Sequence, residues 1–216
     1  MYYLKERREV LKTAQEISAA KMVIGTWGNV SIKIENQPLM LITPSGMNYE
    51  TMSIEDIVLV DEQGNVVEGL WKPSVECPLH AEIYRNRPDV GAIVHVHSTY
   101  ATVFAVARQS IPVILEETAQ VIGHEIHTAP YAICGSGELA AHAVQTLGAG
   151  RAVLLANHGL IGVGESAGDA LKVCYIAEKT ARVALLANIL GPVNSLSPEE
   201  TSLLNISFRN YGQEKH

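Results

Sequence analysis

The chain has 216 residues, 47% apolar and 18% charged, which suits one domain with a sizeable core. Its net charge is −7, and no Lys/Arg cluster is dense enough to neutralise several phosphates, so nucleic acid is excluded as the expected partner. No apolar run reaches about 18 residues and the first residues are too charged for a signal peptide, so no membrane contact is expected and the expected location is cytoplasmic. The odd, widely spaced cysteines Cys77, Cys134 and Cys174 fit a reducing compartment rather than a disulfide framework.

An apolar stripe at helical spacing (Val10, Leu11, Ala14, Ile17, Ala20) predicts a helix over 4–22. Gly25 to Asn29 breaks it. Strands are predicted at Val30–Ile34 and Leu39–Ile42, and Thr43-Pro44-Ser45-Gly46 is a turn. Ile57–Val60 and Val66–Glu68 flank Glu62-Gln63-Gly64-Asn65 as a hairpin. A helix over about 75–86 stops before Arg87-Pro88. A buried strand follows over 90–97, then a helix from Thr99 to about Arg108 and a short strand at Ile111–Leu115. Ser136 is the expected N-cap of a helix over Gly137–Leu147. The apolar runs Ala152–Ala156 and Leu160–Val163 are split by Asn157-His158-Gly159. The longest helix, about 166–190, ends at Gly191-Pro192, and a last helix begins with Pro198 at its first position. There is no repeat or linker, so 1–216 is read as a single domain. Some strands are joined by turns too short for parallel crossovers, which predicts a mixed or antiparallel sheet with helices on its faces.

The strand over 90–97 ends in His95-Val96-His97. Alternate residues of a strand face the same way, so the two imidazoles stand side by side. Two ordinary strand histidines are one reading. The other is a metal centre, because a buried apolar strand is a costly place for two imidazoles without partners. His158 supplies a third nitrogen, and three protein ligands with an open position is a common way to hold a catalytic zinc. Glu76 lies at a helix start, where a carboxylate gains from the helix dipole, or it stands beside the metal as ligand or general base. His80, one turn on, is read as structural. The turns Gly28-Asn29, Ser45-Gly46 and Ser74 are each able to receive an anion through backbone N–H groups, although most such turns only reverse the chain.

Five segments occur in order through nearly the whole chain: Gly25-Thr26-Trp27-Gly28-Asn29-Val30-Ser31, Ile42-Thr43-Pro44-Ser45-Gly46, Pro73-Ser74-Val75-Glu76, His95-Val96-His97 and Asn157-His158-Gly159-Leu160. In this the chain resembles the class II aldolase/adducin family. Gly135 to Ala140 and Phe208-Arg209-Asn210-Tyr211-Gly212 resemble its branch of ketose 1-phosphate aldolases. The resemblance implies a three-layer α/β/α sandwich around a mixed, largely antiparallel sheet. It implies a homotetramer with active sites between subunits.

It further implies one zinc on His95, His97 and His158, with Glu76 as ligand and acid/base. Other divalent metals also suit three histidines. The phosphate of a sugar-phosphate substrate would lie on Gly28, Asn29, Ser45, Gly46, Ser74 and Val75, and Tyr211 would reach the aldehyde in a neighbouring subunit's site. The implied reaction is retro-aldol cleavage of a ketose 1-phosphate such as L-fuculose 1-phosphate, giving dihydroxyacetone phosphate and a small aldehyde. An L-ribulose-5-phosphate 4-epimerase, another lyase of the family, or a non-catalytic interaction module are the alternatives. Two residues depart from the pattern. Val75 stands where the family often has a second serine, and the tyrosine expected near position 116 is Glu116.

Overall fold

A computed structural model describes residues 1–208. The chain begins with α1 (Leu4–Ala19), β1 (Asn29–Lys33), β2 (Leu39–Ile42), a 3-10 turn at Ile54–Asp56, β3 (Val58–Asp61) and β4 (Val66–Glu68). It continues with α2 (Cys77–Asn86), β5 (Ala92–Val96), α3 (Thr99–Ala107), α4 (Glu116–Val121) and β6 (Thr128–Ala129). The last elements are α5 (Gly137–Leu147), β7 (Ala152–Leu155), β8 (Gly159–Gly164), α6 (Ala167–Leu190) and α7 (Pro198–Phe208).

The strands form one sheet in the order β4-β3-β2-β1-β5-β8-β7-β6. Every neighbouring pair is antiparallel except β6 with β7. Strand alternation sorts the core into two layers. Val30, Ile32, Ala92, Val94, Val96, Leu154 and Leu160 pack with α1, α3 and α6 residues such as Val10, Ile17, Ala101 and Ala177. Ile93, Val153, Leu155, Ile161 and Val163 pack on the other face with Leu79 and Ile83 of α2 and Leu139 and Ala143 of α5. This is the expected α/β/α sandwich.

That alternation places the site. Val94 and Val96 are committed to the α1/α6 layer, so His95 must face the α2/α5 layer. On β1, Val30 and Ile32 do the same, which turns Asn29 and Ser31 toward α2. Asn29 and His95 are direct cross-strand partners in the β1/β5 register.

Several elements differ from the sequence reading. α1 stops at Ala19 because Lys21 takes a left-handed conformation, φ +57°. Ala20 is exposed, while Arg7 and Thr13 join the buried stripe. Arg7 is 1% exposed and tolerates this by donating to the Ile57 carbonyl and pairing with Glu68 at 3.5 Å. Ile111–Leu115 is not a strand. Only Ile111 makes a bridge, to Ile126, since Pro112 has no N–H to continue a ladder. α4 and β6 were not foreseen, being too short for a periodic signal. Ser136 does cap α5, accepting from the Leu139 N–H at 3.1 Å.

Candidate metal centre

Three elements deliver the imidazoles. His95 is fully buried on β5, His97 lies one residue past its end, and His158 sits in the β7–β8 turn. Leu155 pairs with Gly159 across that turn, and Asn157 adopts φ +55°, a conformation asparagine tolerates better than most residues. Arg108, at the end of α3, donates to the Asn157 side-chain oxygen and ties the turn to its neighbour. Gly159 is required by packing. A Cβ there would fall 2.4 Å from the Val96 carbonyl and 3.0 Å from the His97 ring.

The rings converge edge to face, with centroids 4.8, 4.8 and 4.9 Å apart, and one ligand nitrogen from each lies within 4.8 Å of the others. His95 Nδ1 lies 3.1 Å from the Leu160 carbonyl, which fixes its proton there and leaves Nε2 as a lone pair. That Nε2 lies 2.9 Å from His97 Nε2. Burial first, and then the nearby His97 and His158, hold the His95 pKa well below its ordinary value. Burial and the neighbouring His158 bring His97 down to about 4. Both therefore stand as neutral rings, the state that binds a cation.

Glu76 completes the group. As N-cap of α2 it makes no side-chain cap bond, so the simple helix-start role is not the one it plays. Its carboxylate turns into the cleft instead. Oε2 lies 3.1 Å from His95 Nε2 and accepts from the Asn29 amide at 2.8 Å, and Oε1 lies 3.6 Å from His158 Nε2. Glu76 is 3% exposed, and its Oε1 has no hydrogen-bond partner among the described residues. A buried carboxylate oxygen without a donor, facing three convergent imidazoles, is a donor set that fits a divalent cation.

A cleft of about 340 Å³ opens from this group and reaches Gly28, Asn29, Ser45, Gly46, Ser74 and Val75. The five sequence segments singled out above thus meet in one hollow. The Ser45 N–H donates to the Lys72 carbonyl at 3.0 Å and the Ser74 N–H to the Thr43 carbonyl at 3.1 Å, and Pro44 bridges Pro73. The two turns are tied together, and the hydroxyls of Ser45 and Ser74 and the N–H groups of Gly46 and Val75 are not spent on that tie. Val75 is 63% exposed. Gly28 has φ +125°, and a Cβ would meet Val23 at 2.6 Å and the His95 carbonyl at 2.8 Å, so only glycine lets this loop close on the histidine strand. Tyr49 donates to the Gly28 carbonyl and holds that loop from behind.

Asn29 lines the cleft, and its amide nitrogen also holds Glu76. Tyr211 lies outside the described residues. The sequence reading missed Cys134, which lines the cleft with its sulfur within 4.8 Å of Glu76 and His158 donor atoms, and Trp27, whose ring lies 6.4 Å from that of His97. A faint signal for Cys134 existed: it directly precedes Gly135-Ser136-Gly137. His80 is structural, as expected. It is fully buried, with Nδ1 2.6 Å from Ser31 Oγ, which lies 2.7 Å from the Tyr84 hydroxyl.

A family model described as the class II aldolase and adducin N-terminal domain matches residues 8–185. The 5-deoxy-D-ribulose 1-phosphate aldolase of Bacillus thuringiensis serovar kurstaki is 35% identical over 99% of this chain and 100% of its own length. The L-ribulose-5-phosphate 4-epimerase UlaF of Salmonella paratyphi B is 33% identical over 94% of this chain and 93% of its own. Among solved structures, an L-fuculose 1-phosphate aldolase superposes with a TM-score of 0.93 at 36% identity, covering 97% of this chain and 98% of the other.

Proposed function

The chain belongs to the class II aldolase and adducin family, and we propose that it is a zinc-dependent aldolase that cleaves a ketose 1-phosphate to dihydroxyacetone phosphate and a small aldehyde. The observation that carries this reading is the convergence of three imidazoles and a donor-poor buried carboxylate at the head of a cleft whose far end is built from anion-suited turns. A non-catalytic module has no use for such a group.

His95, His97 and His158, with Glu76, would hold the cation, which supplies a Lewis acid for the substrate's ketone oxygen. The chain's own residues do the rest. Gly28, Asn29, Ser45, Gly46, Ser74 and Val75 would hold the phosphate and fix the ketone at a set distance from the imidazoles. Breaking the C3–C4 bond leaves an electron pair at C3, and the C4 hydroxyl passes its proton to solvent water as it becomes the aldehyde. Glu76 would carry a proton to C3, and in the condensation direction remove it, a role worth roughly 10²–10⁴ in rate. The Asn29 amide at 2.8 Å holds one carboxylate oxygen and leaves the other turned to the cleft. Tyr211 is the proposed donor to the aldehyde oxygen, as the resemblance implies.

We also propose the homotetramer with sites between subunits. In its support, Trp27, Val75, Tyr131 and Ile133 are apolar and 59–71% exposed, and Trp27 and Val75 border the cleft itself.

The 4-epimerase is the second reading, favoured by the 33% identical relative. A screen of zinc-loaded protein over ketose 1- and 5-phosphates separates the two. Release of aldehyde and dihydroxyacetone phosphate from a ketose 1-phosphate is expected; an epimer formed from a 5-phosphate without aldehyde release would overturn the aldolase reading.

A further inference from the structure

Two donor sets overlap in the cleft. The first is His95, His97 and His158; the second is Glu76, Cys134 and His158, with one donor atom from each lying within 4.8 Å of the other two. They share His158, so a single ion occupies one set or the other. The second set contains sulfur, and it rests on more than a cysteine. The unpartnered Oε1 of Glu76, on a side chain only 4% exposed, faces the same hollow that Cys134 lines. Cys77 and Cys174 are buried in the two core layers and take no part.

We propose that Cys134 gives the cleft a second cation position, formed by its thiolate with Glu76 and His158, which selects soft, thiophilic divalent ions such as cadmium. Thiolate sulfur favours soft cations, whereas carboxylate and imidazole also serve harder ones. Tetrahedral bonds of about 2.0–2.3 Å put donors about 3.3–3.8 Å apart, so the set need contract by only about 1 Å to grip an ion. Cys134 is exposed and its backbone lies in the loop before α5, so its sulfur is free to make that movement. On binding, the thiol proton passes to solvent and a sulfur–metal bond replaces the S–H bond.

The proposal rests on the reading of this cleft as a cation centre, and the test separates the two. Purified protein stripped of metal by chelation is titrated with cadmium and, separately, with manganese. Ultraviolet absorbance and cadmium NMR report sulfur ligation. The unmodified chain should show a thiolate-to-cadmium charge-transfer band and a downfield cadmium resonance, both absent in Cys134→Ser. That variant should bind cadmium about tenfold or more weakly, while manganese affinity changes by less than about twofold. A band that persists in Cys134→Ser, or stoichiometric cadmium binding to the unmodified chain with no band, overturns the sulfur position and leaves the histidine centre standing. Equal weakening of both ions makes Cys134 a structural residue and overturns it too. Failure of the unmodified chain to bind either ion removes the cation centre, and this proposal with it.

Discussion

The two ends of the cleft are built by opposite means. At the histidine end every group is a side chain aimed by sheet register: Asn29 is paired with His95, and His158 rides on a turn closed by the Leu155–Gly159 pair. Asn29, Glu76 and His95 are buried and His97 and His158 partly so, and each has a partner whose identity matters. At the other end the useful groups are hydroxyls and N–H groups of two turns tied together by Ser45 to Lys72 and Ser74 to Thr43. Many side chains serve there, as the exposed Val75 illustrates. The difference teaches where substitution is expensive. Losing one side chain at the histidine end strands several others, whereas losing one at the turn end removes a single bond.

The strongest break in that contrast comes at the pair of strand histidines. His95→Ala/His97→Ala should remove two of three nitrogens and abolish stoichiometric zinc binding, read by elemental analysis of dialysed protein. A full zinc complement in that double variant would sink the assignment. Next in size is Glu76→Gln. The amide keeps the shape and one acceptor for Asn29 but cannot exchange protons, so exchange at the hydroxymethyl carbon of dihydroxyacetone phosphate should fall by roughly 10²–10⁴. Unchanged exchange would take Glu76 out of catalysis. Loss of zinc as well would identify ligation as its main task.

How much of this was legible beforehand follows the same division. The histidine strand was readable because Val94 and Val96 alternate with the site residues, a period that survives without neighbours. The long helix α6 and the cap at Ser136 were readable for the same local reason. The Asn29–Glu76 bond was not, because it needs the β1/β5 register and the start of α2 at once. Cys134 was passed over because its partners lie far away in sequence, at Glu76 and His158. α4 has only six residues and β6 two, too few to show a period. The strand expected at Ile111–Leu115 failed on a residue in plain view, Pro112, whose missing N–H outweighs the apolar run around it.

Behind the histidine end lies a buried polar pocket that acid should probe. His80 is fully buried and its pKa is lowered to about 4, chiefly by desolvation. An unfolded chain takes up this proton near pH 6.5. Between about pH 6.5 and 4 the unfolded state therefore binds the proton that the folded state refuses, and stability falls as pH falls, by on the order of 3 kcal/mol in all. Above pH 6.5 both states are neutral and this group contributes no slope. His80→Gln should lose its share of the slope in urea unfolding measured across that window, while His95 and His97 keep theirs. An unchanged slope would mean that His80 is protonated in the folded protein.

The smallest expected effect falls on Ser74, and it tests whether the two ends are in fact separate. Ser74 Oγ accepts the Glu76 N–H at 3.2 Å, and this leaves its own O–H free to donate. The residue is 7% exposed and lines the cleft, so the donor points where a phosphate oxygen would have few competitors from water. Ser74→Ala should weaken phosphorylated ligands by roughly 1.5–3 kcal/mol, the worth of a hydrogen bond to a charged group, and unphosphorylated analogues far less. With Val75 offering an N–H but no hydroxyl, Ser74 carries a larger share than it would beside a second serine. Equal weakening of both ligand types would move the phosphate elsewhere. The same variant, titrated with zinc, reads the coupling between the ends. The carboxylate of Glu76 is held by Asn29 rather than by Ser74, so zinc affinity should stay within about twofold. A larger loss would show that the turn holding the anion also sets the start of α2, and that substrate binding and metal binding share one support.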